Sequence, residues 1–234
     1  MKRDPDLKPR VKDAEKNLRR DITRISSEPP VRSLLEEIGN AITHGVGAGL
    51  SVVALILMIL ESDTPLKMMG SLFYGISLFI LFLMSCLYHA FKQGSAVKRL
   101  WRRFDYSSIY LLIGGTTAPF YLIYWGDTKG IVMFCVQWGL IVVGVTFIGV
   151  FGPSRFRPLH FALYFILGWS AVIFIPGWLK NDPLIFWMVL AGGLTYTIGM
   201  IPFIKDTKGA HFIWHLFVLA GALVHWFAVY LLVF

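Results

Sequence analysis

Residues 70 to 91 read GSLFYGISLFILFLMSCLYHAF, a continuous apolar run that contains no Asp, Glu, Lys or Arg. A helix needs about 20 predominantly apolar residues to cross a hydrocarbon core about 30 Å thick, so this run predicts a membrane-spanning helix. Six more runs of similar length lie on either side of it, and together they predict seven spans. Their approximate limits are residues 41 to 60, 70 to 91, 105 to 125, 130 to 151, 158 to 179, 183 to 204 and 211 to 234.

The overall composition agrees with a membrane protein. Hydrophobic residues make up 56% of the chain and charged residues 15%, whereas soluble domains average about 45–50% and about 25%. A water-soluble enzyme and a disordered chain are therefore excluded. The net charge of +8 does not indicate a nucleic-acid partner, because the Lys and Arg residues lie between apolar runs and not on a polar, folded face.

The first 40 residues form a separate segment, which carries 10 Lys and Arg and 8 Asp and Glu. It lacks the apolar core that a secretory signal peptide requires. Apolar residues at three- and four-residue steps predict two amphipathic helices at the membrane surface, one over residues 11 to 25 and one starting at Ser33, with Ser33 and Glu36 as a capping box. A solvated arm of mixed charge is the alternative for the first helix. Residues 41 to 234 are then a single all-α membrane domain.

Small residues and prolines predict local features of the spans. Gly45 and Gly49 are spaced for close contact with a neighbouring helix. Pro119, Pro176 and Pro202 lie within predicted spans, where we expect them to kink the helices.

The distribution of Lys and Arg predicts the orientation of the bundle, since short cytoplasmic loops are enriched in both residues. With seven spans, one side of the membrane receives 19 of them, including those of residues 1 to 40, and the other side receives 3. This predicts a cytoplasmic N-terminus and a C-terminus outside.

Ionisable and hydroxyl side chains cluster at the predicted cytoplasmic ends of three spans. Ser85 and His89 lie one helical turn apart at the end of the second span, and Asp105 begins the third. His211 and His215 lie one turn apart at the start of the seventh. Ionisable groups inside a membrane are costly and are functional candidates by default. Each histidine taken alone also fits an interfacial position, and Asp105 also fits a helix cap.

Three imidazoles with one open position are the pattern of a catalytic zinc site. We therefore predict that His89, His211 and His215 bind Zn²⁺. Asp105 would serve as general base or hydrogen-bond acceptor for water activated by the metal, and Ser85 would donate a hydrogen bond to that water or to a developing oxyanion.

Further residues are candidates for the wall of the same pocket. His44, Asn40 and Glu37 share one face at the start of the first span, and Tyr88 precedes His89. His44 alternatively packs between helices. His225 lies too deep to reach the same metal and is expected to make a hydrogen bond between helices, and His160 is expected to be structural or to face lipid.

Four basic residues of the second loop are candidates for binding anionic headgroups, although the positive-inside rule explains them without any ligand. They are Lys98, Arg99, Arg102 and Arg103.

Four segments of the chain resemble the bacterial hemolysin III proteins of the progestin and adipoQ receptor superfamily, which is related more distantly to alkaline ceramidases. They are EEIGNAITHGVG (36 to 47), MSCLYH (84 to 89), RFDYSSIYLLIGGTTAPF (103 to 120) and HFIWHLFVLAGALVHW (211 to 226). The resemblance implies a seven-helix fold with the N-terminus inside and a zinc ion near the cytoplasmic surface. It implies that His89, His211 and His215 hold the metal, with Asp105 and Ser85 beside it.

Three functions fit these predictions. The first is a zinc-dependent, ceramidase-like hydrolase of the bacterial cell membrane that cleaves an amide or related acyl bond of a membrane lipid. The second is a zinc-containing sensor or regulator of membrane state that performs no turnover. The third is the pore-forming, cytolytic activity that the family name suggests, against which the scarcity of polar residues in the outer halves of the spans argues.

Overall fold

The computed structural model describes residues 28–205 and 207–234, and within these ranges the chain is helical and contains no strand. The predicted helix over residues 11 to 25 lies outside the described residues. The eight α-helices are α1 (Leu34–Leu60), α2 (Pro65–Ala90), α3 (Ala96–Pro119), α4 (Thr128–Phe151), α5 (Arg157–Gly168), α6 (Ile175–Asn181), α7 (Pro183–Lys205) and α8 (Ala210–Val233). A π-helical turn, Phe120–Trp125, extends α3, and a 3₁₀ turn, Ser170–Phe174, joins α5 to α6.

Six helical segments of the described chain are long and apolar enough to cross a membrane: α1, α2, α4, the α5–α6 unit, α7 and α8. The predicted third span corresponds to α3 and its π-helical extension. This helix is long enough, but its first turns carry several charged residues and it is not among the six. Large apolar side chains such as Leu60, Val142 and Ile204 are exposed on the outer surface, as expected where lipid covers the protein.

The first span begins earlier than predicted. Ser33 caps α1, and its hydroxyl accepts a hydrogen bond from the backbone N–H of Glu36, which confirms the predicted helix start. No break separates the predicted surface helix from the span, so residues from Leu34 onward belong to α1. The apolar face predicted for the surface helix, which includes Leu34, Leu35 and Ile38, is exposed.

The second span, α2, occupies the centre of the bundle. It packs against α1 on one side and α3 on the other, while α8 packs against α1 and α3. Its buried face follows the helical repeat through Tyr74, Leu78, Leu81, Ser85 and His89. This periodicity directs Ser85 and His89 into the bundle at the end of α2.

The fifth predicted span is not one continuous helix, and its interruption is longer than the kink expected at Pro176 alone. Helix α5 ends at Gly168, and the 3₁₀ turn follows before α6 starts with Pro176 in its first turn. Pro119 precedes the π-helical turn, and Pro202 lies inside α7.

The predicted close contact at Gly49 is wrong, because no atom lies within 4 Å of the place where its Cβ would be. The tight contact of α1 with α2 is instead at Gly47, where a Cβ would lie 2.6 Å from Cδ1 of Phe82. Sequence spacing alone could not show which glycine of α1 makes the close contact. The position of the Phe82 ring decides it, because this ring lies against Gly47 and not against Gly49.

We expect Gly47→Ala to destabilise the protein by about 1–3 kcal/mol, because the added methyl group would overpack the contact with Phe82. Gly49→Ala is the matched control and should be neutral or stabilising by up to about 1 kcal/mol, since alanine is the better helix former. Thermal unfolding of both purified variants in the same detergent tests this expectation. Equal melting temperatures for the two variants would contradict it.

Candidate metal centre

Three histidines from two helices meet inside one end of the bundle, which we call the histidine end. His89 lies near the C-terminus of α2, and His211 and His215 lie in the first turns of α8. One ligand nitrogen from each lies within 4.8 Å of the others. All three side chains are buried, with 3%, 6% and 1% of their surface exposed.

The spacing of one pair of imidazoles matches that of two ligands on a tetrahedral metal. Nε2 of His211 lies 3.3 Å from Nε2 of His89, and two nitrogen ligands at 2.0–2.1 Å from a tetrahedral zinc ion are separated by about 3.3 Å. The three ligand atoms as a set lie within 4.8 Å of one another. The Nδ1 atoms of His211 and His215 are buried without a hydrogen-bond partner among the described residues. The three histidines could therefore hold a metal ion.

The imidazole of His89 is oriented by a partly buried carboxylate. Nδ1 of His89 donates a hydrogen bond to Oε2 of Glu37 over 2.6 Å. This bond assigns the proton to Nδ1 and leaves the lone pair of Nε2 facing His211. A carboxylate behind a metal-binding histidine is the usual arrangement in zinc sites.

Lys98 completes this network from α3. Its Nζ lies 3.0 Å from Oε2 of Glu37 and donates to the backbone carbonyls of Tyr88 and Phe91 at 3.1 and 3.2 Å. Only 1% of Lys98 is exposed. Lys98 therefore lies inside the protein and neutralises Glu37, in place of the predicted contact with a lipid headgroup.

Three of the predicted pocket residues lie behind His89 and do not line the internal cavity. They are Glu37, Asn40 and Tyr88. The Asn40 amide lies 3.4 Å from Nδ1 of His89, and the Tyr88 ring packs against the His89 ring at 4.5 Å. Their contacts are therefore with the candidate ligand itself, which corrects their assignment to the pocket wall.

His44 does line the cavity, and its ring stacks on that of His215 with centroids 3.7 Å apart. The near-parallel rings do not direct their nitrogens at one point. Among the described residues, the group able to hold a metal consists of His89, His211 and His215 without His44.

Asp105 and Ser85 lie together at the polar end of the cavity. Both side chains line the cavity together with His211 and His215. Beyond this end the lining is mainly apolar and includes Phe120 and Trp178 from the far half of the bundle.

The other basic residues of the second loop also have partners within the protein. Arg99 forms an ion pair with Glu28 at 3.1 Å, Arg102 donates to the Glu28 carbonyl, and Arg103 donates to the Gly149 carbonyl.

The two remaining histidines lie outside the cluster. Nε2 of His225 is 3.1 Å from the Val189 carbonyl, which confirms the expected hydrogen bond between helices. His160 is buried and accepts or donates a hydrogen bond with the Tyr110 hydroxyl at 2.9 Å, which fits the structural alternative and excludes lipid exposure.

We expect Lys98→Met to lower the free energy of unfolding by about 1–3 kcal/mol, because it leaves the partly buried Glu37 carboxylate without its cation. The double variant Glu37→Gln/Lys98→Met should recover part of this loss, since it removes both charges. Arg99→Met breaks a more exposed pair and should cost less than about 1 kcal/mol. Chemical denaturation in detergent micelles measures all three, and a Lys98→Met variant as stable as Arg99→Met would refute a buried pair.

Comparison with known proteins identifies a family for this chain. Residues 32–226 match the family described as Haemolysin-III related. The chain is 38% identical over 199 residues to Hemolysin-3 of Bacillus cereus, covering 83% of this chain and 90% of that protein. It is 33% identical over 202 residues to the Hemolysin-3 homolog of Bacillus subtilis (strain 168), covering 84% and 94%.

A more distant relative is the monocyte to macrophage differentiation factor of Homo sapiens, 26% identical over 205 residues, with 83% of each chain covered. The family resemblance read from the four sequence segments is therefore confirmed. Together with the six apolar helices, the family match and the bacterial relatives show that this chain belongs to the haemolysin-III related family and is a multi-pass protein of a bacterial membrane.

Proposed function

We propose that the protein is a zinc-dependent hydrolase that cleaves an amide or related acyl bond of a membrane lipid. One observation carries this proposal: His211 and His215 of the three-histidine cluster line one end of a mainly apolar cavity, together with Ser85 and Asp105. A polar end with metal-binding side chains suits a reacting bond, and an apolar cavity suits the chain attached to it.

The proposal includes seven spans, with α3 and its π-helical extension as the third. The excess of Lys and Arg on one side then orients the N-terminus and the histidine end toward the cytoplasm. The acyl linkage of a lipid lies between its headgroup and its chain. In the cytoplasmic leaflet this linkage would be level with the cluster.

When bound, zinc would act as a Lewis acid that polarises the scissile carbonyl and lowers the pKa of water to about 7. His89, His211 and His215 would hold it, and the Glu37 carboxylate would keep His89 in the tautomer that ligation requires. The imidazoles are uncharged ligands, so the site keeps a net positive charge that favours a carbonyl oxygen.

Asp105 is positioned to move the proton. Its carboxylate would take one proton from the attacking water as the carbon–oxygen bond forms. It would then deliver that proton to the leaving nitrogen as the carbon–nitrogen bond breaks, which yields a carboxylic acid and an amine. Ser85 lines the same end of the cavity as Asp105, and its hydroxyl can donate to the carbonyl oxygen.

A regulator without turnover is the second candidate, and the deep burial of all three histidines favours it. In that case the metal joins α2 to α8 and has no catalytic role. Pore formation, which the printed name of the Bacillus cereus relative suggests, is disfavoured because the far part of the cavity is lined by apolar side chains.

We expect the purified protein to contain one zinc ion per chain and His211→Ala to lose most of it, because two imidazoles alone bind the ion weakly. His160→Ala removes an equally buried histidine outside the cluster and should retain the metal. Mass spectrometric metal analysis of all three proteins provides the measurement. Wild-type protein free of stoichiometric zinc would exclude both the hydrolase and the zinc-containing regulator.

We expect Asp105→Asn to keep its zinc and to lower lipid hydrolysis by about 10²–10⁴-fold, since the amide cannot accept the proton. Asp127→Asn, at the N-cap of α4, is the matched control and should hydrolyse lipid normally. Release of fatty acid from labelled ceramides and other acyl lipids measures the rates. A zinc-loaded wild type that hydrolyses none of them would favour the regulator.

A further inference from the structure

The cavity contains a second polar position, far from the histidine cluster. His225 of α8 and Tyr196 of α7 both line the cavity, with their ring centroids 5.5 Å apart. Nδ1 of His225 and the Tyr196 hydroxyl are buried and have no hydrogen-bond partner among the described residues. His225 itself is only 7% exposed.

These two rings fit because small residues face them. A Cβ at Gly192 would lie 2.4 Å from the His225 ring, and one at Gly221 would lie 3.0 Å from the Tyr196 ring. A buried polar atom without a partner costs about 1–3 kcal/mol. Phenylalanine at position 196 would pack in the same way without this cost, so packing alone does not account for the hydroxyl.

The hydrogen-bonding roles of both groups can be assigned. Nε2 of His225 faces the Val189 carbonyl at 3.1 Å, and a carbonyl can only accept, so Nε2 carries the proton. In a neutral imidazole Nδ1 is then an acceptor. The Tyr196 hydroxyl supplies a donor. A hydroxyl group on a ligand satisfies both, because its hydrogen donates to Nδ1 and its oxygen accepts from Tyr196, whereas a keto group satisfies Tyr196 alone.

The distance from the histidine cluster gives the position of that hydroxyl on a lipid chain. His225 follows His215 by ten residues on one helix, which corresponds to about 15 Å along the axis. An extended chain advances about 1.2 Å per bond, one third of the rise of an extended residue. The second polar position therefore lies about 12 bonds from a group held at the cluster.

We propose that Tyr196 and His225 form a subsite for a hydroxyl group in the middle of the acyl chain, so that the protein prefers chain-hydroxylated lipids to unsubstituted ones. This inference rests on the proposed function in one respect, that an acyl chain occupies the cavity. It does not depend on turnover.

Competition between 12-hydroxystearic acid and stearic acid tests the subsite. Each acid displaces a fluorescent fatty acid from the purified full-length protein in nanodiscs. We expect the wild type to bind the hydroxylated acid about tenfold more tightly, as two modest hydrogen bonds allow. Tyr196→Phe should reduce this ratio to about threefold or less without weakening stearic acid, and His225→Leu should do the same.

Tyr196→Phe is the decisive variant, because the hydroxyl it removes has no partner within the described protein and its loss leaves the ring packing intact. Tyr121→Phe is the matched control: the Tyr121 hydroxyl bonds Ser170 and does not line the cavity, so the tenfold ratio should persist. Equal binding of both acids by the wild type would overturn the subsite and leave ordered water as the partner of both groups. An unchanged ratio in Tyr196→Phe, or a failure of both acids to bind, would also overturn the subsite.

The binding assay and the lipid hydrolysis assay together separate this inference from the proposed function. A wild type that prefers the hydroxylated acid but hydrolyses no lipid supports the subsite and contradicts the hydrolase. A wild type that hydrolyses lipid but binds the two acids equally well supports the hydrolase and contradicts the subsite.

Discussion

The partly buried carboxylate of Glu37 joins three helices at the histidine end. Glu37 lies on α1, accepts a hydrogen bond from His89 on α2 and pairs with Lys98 on α3. Lys98 in turn bonds the last carbonyls of α2, which would otherwise lack partners at that helix terminus. Without this network His89 would lose the bond that fixes its tautomer, and the ends of α1, α2 and α3 would lose their polar connection.

Many of the buried polar groups find a partner within the protein. At the histidine end, Lys98, Glu37 and His89 form one such network. Deeper in the bundle, polar side chains bond across helices in the same way, as Gln137 does with the Leu167 carbonyl and the Ser170 hydroxyl. Exceptions among the described residues include Nδ1 of His211 and of His215, both ring nitrogens of His44, Nδ1 of His225 and the Tyr196 hydroxyl, and all five side chains line one cavity.

Six of the spans and the pairs of polar residues within one helix could be predicted, because each depends on spacing along one helix. An apolar run of span length has few alternatives, and the pairs Ser85/His89 and His211/His215 share a helical face whatever the packing. Contacts between helices could not be predicted in this way. The burial of Lys98 depends on where α3 packs against α2, and the contact at Gly47 depends on the rotation of α1 against Phe82. The break at Gly168 carries only a weak sequence signal, because the nearest proline lies eight residues later.

Each of the three candidate ligands is held in a different way. This explains why only one of them needs a carboxylate to fix the orientation of its ring. His89 is fixed by the Glu37 bond, whereas Nδ1 of His211 and Nδ1 of His215 have no such partner. The His215 ring is covered by the stacked ring of His44, and His211 packs against the Phe203 ring at 5.7 Å. Flat contacts restrict the rotation of an imidazole without adding charge, and the one carboxylate that orients a ligand, that of Glu37, is paired with Lys98. His44 thus acts on the site through the orientation of His215, which accounts for a histidine beside the cluster that does not direct a nitrogen into it.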